Sequence, residues 1–161
     1  MAIAVGDKIP DVVLMKLTDK GPAPVKTSDF LKGRKVVLFA LPGAFTPTCS
    51  NQHLPGFIQK SADFKAKGVD EIACISVNDA FVMGAWGKQQ GAEGKVTMLG
   101  DGNGELAKAL GLELDGSGLG LGTRSQRYSM LVNDGVVLSI NKEPNPGEAK
   151  VSNADIILAQ V

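Results

Sequence analysis

The sequence predicts an α/β chain: a mixed central sheet with helices on both faces. Three observations carry that expectation. Residues 35–41 (Lys35-Val36-Val37-Leu38-Phe39-Ala40-Leu41) and 72–77 are short apolar runs with β-branched residues. Such runs, without polar alternation, read as strands buried on both faces. Between them, 47–67 has a helical pattern that Gly68 closes as a C-terminal cap. Strand, helix, strand is the unit of a parallel sheet with a right-handed crossover. Finally, Asn133-Asp134-Gly135 separates two β-rich runs, which predicts a tight antiparallel hairpin.

Each element then follows in chain order. Strand 35–41 stops at Pro42-Gly43. The helix over 47–67 contains Pro55, which should kink or split it. After strand 72–77, a helix is expected over 79–90 with Asn78 as N-cap. A short strand at 96–99 and a helix at 105–110 come next, then strands 127–132 and 136–140 and a last helix at 153–160. The glycine-rich stretch 116–122 lacks the spacing of a phosphate loop and reads as a loop between helix and strand. Asp101-Gly102-Asn103-Gly104-Glu105 has Leu106 where a calcium loop needs glycine, and reads as a turn into a helix. Without a repeat or linker, residues 1–161 are expected to form one domain.

Composition removes several function classes. Lys plus Arg and Asp plus Glu are both 17, so the chain has no net charge. Lys32, Arg34 and Lys35 form the densest basic group, and they flank a strand. Neither a basic stripe nor an aromatic platform for nucleic acid is present, with Trp86 the single tryptophan. No apolar run is long enough to span a membrane. The first residues lack the layout of a signal peptide. A reducing, cytoplasmic setting is expected; an organellar protein freed of its transit peptide would read the same way.

The chemistry concentrates on cysteine. The chain has two, Cys49 and Cys74, and one histidine, His53, too few soft ligands for tetrahedral zinc. Thr46 is a preferred N-cap and Pro47 suits the first helical position, so Cys49 falls at the third. There its sulfur lies near unsatisfied N–H groups at the positive end of a helix, which favours a thiolate and a reactive nucleophile. Cys74 lies within an apolar strand and reads as a core thiol. His53, one turn beyond Cys49 on the same face, is poorly placed as a general base and is expected to pack or face solvent.

The segment Pro42-Gly43-Ala44-Phe45-Thr46-Pro47-Thr48-Cys49 resembles the peroxiredoxin active-site motif, Pro-x-x-x-Thr-x-x-Cys. His53-Leu54-Pro55-Gly56-Phe57, the run Ser76 to Val82 with Ala85-Trp86, and Arg124-Ser125-Gln126-Arg127-Tyr128-Ser129 resemble its type II/type V branch. That resemblance implies a thioredoxin-like fold and a thiol peroxidase acting on hydrogen peroxide and alkyl hydroperoxides. It implies Cys49 as the attacking thiol, oxidised to a sulfenic acid. Thr46 would orient the peroxide and bond the sulfur, Arg127 rather than Arg124 would hold the thiolate, and Pro42 would shield it from water. The resemblance implies no cofactor: electrons would come from an external thiol, glutaredoxin with glutathione first and thioredoxin second, and the assembly would be a homodimer. The stretch 147–157 carries no resolving cysteine of the kind some type V members have. A resolving role for Cys74 would require its strand to open locally. Two readings stand beside the peroxidase: a non-enzymatic binding module or holdase on the same fold, and a general thiol–disulfide oxidoreductase. The second lacks the partner cysteine of a Cys-x-x-Cys site.

Overall fold

A computed structural model describes all residues, 1–161. Its framework is a seven-stranded sheet in the order β2-β1-β5-β4-β3-β8-β9. The strands are β1 (Val13–Thr18), β2 (Gly21–Lys26), β3 (Lys35–Ala40), β4 (Glu71–Ser76), β5 (Thr97–Gly100), β8 (Tyr128–Asn133) and β9 (Val136–Lys142). The central three, β5, β4 and β3, run parallel, while β8 and β9 add antiparallel strands beside β3. A separate two-stranded ribbon pairs β6 (Glu113–Asp115) with β7 (Thr123–Ser125).

Strand β3 shows why the sheet needs two covers. Val37, Phe39 and Leu41 enter one apolar cluster with Leu54, Phe57, Phe64, Trp86 and Ile157. Val36, Leu38 and Ala40 enter another with Leu31, Leu106, Leu110 and Met130. Side chains alternate along a strand, so an unbroken apolar run supplies both faces. The first face is covered by α2 (Leu54–Gln59), α3 (Ser61–Ala66), α4 (Ala80–Gln90) and α6 (Ala154–Leu158). The second lies against α1 (Thr27–Leu31) and α5 (Glu105–Leu110). This is the thioredoxin-like mixed α/β architecture, with helices on both faces. No helix is long and apolar enough to cross a membrane.

Several elements depart from the sequence expectation. The sequence reading assigns nothing before Lys35, yet a β1–β2 hairpin stands there. Strand β2 carries Pro22 and Pro24, which an edge strand tolerates because alternate N–H groups point away from the ladder. The helix over 47–67 is divided into three. Pro47 and Thr48 begin it, a π-turn spans Cys49–His53, and α2 and α3 meet at Lys60. Pro55 has no N–H for an ordinary i−4 bond, and the turn before it widens so that Leu54 N–H donates to Cys49 O. Asn78 is not the N-cap of α4. Asp79 takes that place, its Oδ1 accepting from Val82 N–H at 2.8 Å. The Asn78 Oδ1 instead accepts from Ala44 N–H at 3.0 Å and from the Ser76 hydroxyl at 2.7 Å, tying the end of β4 to the turn after β3.

Candidate active site

The site forms where β3 ends. Antiparallel pairing of β3 with β8 sets Ala40 opposite Tyr128, so Arg127 enters the sheet beside the Pro42–Cys49 turn. Register thus brings together two residues 78 positions apart. The Arg127 guanidinium Nη2 donates to Cys49 Sγ at 3.1 Å. Its Nη1 donates to His53 Nδ1 at 2.9 Å, and its Nε donates to Pro146 O at 3.0 Å. Guanidinium has five N–H donors, so one hydrogen on each terminal nitrogen stays uncommitted. Arg127 is 2% exposed, Cys49 and His53 are 0% exposed, and Arg127 forms no ion pair.

Neighbouring residues fix the turn. Arg124 Nη1 donates to Pro42 O at 3.1 Å and its Nε to Leu121 O at 3.0 Å. Arg124 Nη1 would lie 2.6 Å from a Cβ at Gly43, so a larger residue there would push the guanidinium off Pro42 O. Phe45 adopts a positive φ of 65°, which is strained for a bulky residue, and half-exposes its ring over Trp86. Trp86 Nε1 donates to Ser50 Oγ at 3.0 Å, placing the single indole beside the residue that follows Cys49. Pro42 is itself buried.

Thr46 departs from part of its expected role. It precedes Pro47 as the spacing requires, and its carbonyl accepts from Ser50 N–H at 2.9 Å. Its hydroxyl donates to Gly43 O at 2.7 Å, not to the sulfur, and does not cap the helix. The proton is committed, so the oxygen lone pairs are left as acceptors.

His53 departs too, since it is neither surface-facing nor merely packed. Its Nε2 lies 3.0 Å from Ser152 O, so that nitrogen carries the proton and Nδ1 accepts from Arg127. Phe39 and Phe57 stack at 3.9 Å, and their ring centroids lie 5.1 and 5.6 Å from the imidazole. Burial in this apolar setting, and then the Arg127 cation, hold its pKa down at about 3, against the opposing bond to Ser152 O. The ring is neutral at ordinary pH and has no free lone pair to accept a proton from the thiol. This geometry removes His53 as a general base and makes it a brace for Arg127.

A stability prediction follows. A folded pKa near 3 lies below the ordinary 6.5, so between these values the unfolded chain binds a proton that the folded chain refuses. Stability is therefore complete above pH 6.5 and is lost on acidification, at up to ~1.4 kcal/mol per pH unit from this group. Urea midpoints should fall from pH 7 to about pH 5, and His53→Gln should show a flatter dependence there.

Cys74 lies in mid-β4, fully buried, paired in register with Phe39. Burial, and then proximity to Cys49, push its thiol well above the usual range. It remains a protonated core thiol in this structure.

The redoxin family profile matches residues 4–158. Peroxiredoxin-2E-2, chloroplastic, of Oryza sativa subsp. japonica is 52% identical over 162 residues, covering 97% of this chain and 71% of that protein. Peroxiredoxin-2B of Arabidopsis thaliana is 49% identical, covering 97% of this chain and 96% of its own. Among solved structures, reduced Prx3 of Vibrio vulnificus in complex with H2O2 superposes with a TM-score of 0.93 at 52% identity, over 98% of each chain. The fold is thus thioredoxin-like, with a buried thiol beneath a buried arginine as its distinguishing chemistry. The chain belongs to the redoxin family and is a type II peroxiredoxin, a thiol-dependent peroxidase.

Proposed function

We propose that residues 1–161 act as one domain in which Cys49 reduces hydrogen peroxide and alkyl hydroperoxides. The observation that carries this reading is the unpaired charge of Arg127. A buried guanidinium without a carboxylate is costly to fold around unless an anion meets it, and the group it reaches is Cys49 Sγ. The thiolate is the anion this site is built to hold. Its sulfur attacks one peroxide oxygen, an S–O bond forms as the O–O bond breaks, and Cys49 becomes a sulfenic acid. The departing oxygen leaves as hydroxide or alkoxide and takes a proton from water. The two uncommitted Arg127 hydrogens remain to meet the charge that develops on the oxygens, and the Thr46 oxygen, its own proton given to Gly43 O, would accept a bond from the peroxide O–H. Pro42 closes the turn against water.

The sulfenic acid is then reduced by a thiol from outside the chain, because Cys74 is held as a protonated core thiol. Glutathione with glutaredoxin is the first choice and thioredoxin the second. The active assembly is a homodimer in a reducing compartment. Cytoplasm is the first placement; the rice relative's chloroplastic name makes an organelle the second. Peroxide consumption with each reductant supplied separately tests this. Turnover should be fastest with glutathione and glutaredoxin, and turnover with thioredoxin alone would reverse the order.

A further inference from the structure

The buried carboxylate of Glu143 has no part in the chemistry described so far. It is 5% exposed and forms no ion pair. Its Oε2 instead collects three donors from one short stretch: Val151 N–H at 2.8 Å, Ser152 N–H at 2.6 Å and the Ser152 hydroxyl at 2.6 Å. A buried carboxylate is expensive, so a carboxylate bound only by neutral donors needs a reason.

The stretch it gathers supplies one. Residues 143–152 leave the end of β9 and pass over the site, touching it at three places. Pro146 O accepts from Arg127 Nε at 3.0 Å, Gly147 O from the Thr48 hydroxyl at 2.8 Å, and Ser152 O from His53 Nε2 at 3.0 Å. At the near end, Glu143 N–H donates to Arg127 O at 3.0 Å. Arg127 donates to His53, and His53 donates to Ser152 O. Glu143 grips that same residue through its N–H and its hydroxyl, and so fixes where the carbonyl stands. A fixed negative charge just beyond Ser152 favours the proton on His53 Nε2, which keeps Nδ1 an acceptor for Arg127.

We infer that Glu143 is a positioning residue for the peroxidase reaction: it pins the 143–152 strap and sets the His53 tautomer that aims Arg127 at Cys49. This rests on the catalytic reading above, but its decisive readout does not require peroxide. His53 is the only histidine in the chain, so its ring nitrogens can be read singly by 15N NMR.

In the wild type, the ring should be neutral with the proton on Nε2. Glu143→Gln keeps the side-chain volume but removes the charge. It should mix the His53 tautomers and slow oxidation of Cys49 by hydrogen peroxide about tenfold, followed by the fluorescence of Trp86 in stopped flow. Ser152→Ala removes one of the three donors and leaves both backbone donors in place. It should shift the same signals less and slow oxidation less, and it serves should Glu143→Gln fail to fold. A merely structural Glu143 would give a lower Tm with wild-type oxidation and an unchanged His53 spectrum in the folded variants; that outcome overturns the inference. A wild-type chain that ignores peroxide but shows the tautomer shift on Glu143→Gln would reject the peroxidase reading and leave the strap standing.

Discussion

Replacing Cys49 by serine is expected to bring peroxide turnover down to the rate of the reductant alone. A hydroxyl at this position keeps the turn and its packing but is not ionised at neutral pH, so it offers no nucleophile to an O–O bond. Cys74 cannot take over. It lies fully buried in mid-strand, and its thiol is held in the protonated form by burial. Peroxide consumption with glutathione and glutaredoxin measures the loss. Substantial turnover by Cys49→Ser would remove Cys49 from the centre of the mechanism.

The second large effect is at Arg127. Arg127→Ala should lower the rate of Cys49 oxidation by ~10²–10³-fold, the range for losing a principal donor to a developing negative charge. Lysine should rescue little. A point charge cannot meet Cys49 Sγ, His53 Nδ1 and Pro146 O together, as the planar fork does. Truncation also strands His53 Nδ1 and Pro146 O without their donor, so Tm should fall along with the rate. Stopped-flow oxidation of the folded variant separates the two effects. A rate within a few-fold of wild type would reject the catalytic role of Arg127.

The sequence makes the scaffold of this site readable because each signal is local. Apolar runs without alternation announce buried parallel strands, and Thr46-Pro47 places Cys49 in the first helical turn before any contact is known. Arg127 is reached through a resemblance, and its geometry is a matter of register: Ala40 opposite Tyr128 sets the arginine beside the cysteine turn. Groups whose roles depend on distant partners stay hidden. His53 looks like a polar residue on a helix face, yet burial among Phe39, Phe57 and Arg127 makes it a neutral brace. Arg124 and Arg127 look alike in sequence, and only the fold sends one to Pro42 O and the other to the sulfur. Ser152 and Glu143 sit in a polar stretch without periodicity, where nothing local distinguishes a surface loop from a strap over the site. The β1–β2 hairpin goes unread because Pro22 and Pro24 mask an edge strand.

The structure also shifts the weight placed on Cys49. Sequence reasoning credits its reactivity to the positive end of a helix, but that helix opens into a π-turn at Cys49 itself, and the direct cation contact is Arg127. In the proposed reaction, therefore, one sulfur, held by one arginine, accepts one oxygen. Intact mass of the reduced protein after one equivalent of hydrogen peroxide tests it most directly. A gain of a single oxygen atom on Cys49 is expected, with Cys74 still alkylatable after unfolding. A loss of two hydrogens, marking a Cys49–Cys74 disulfide, would contradict it.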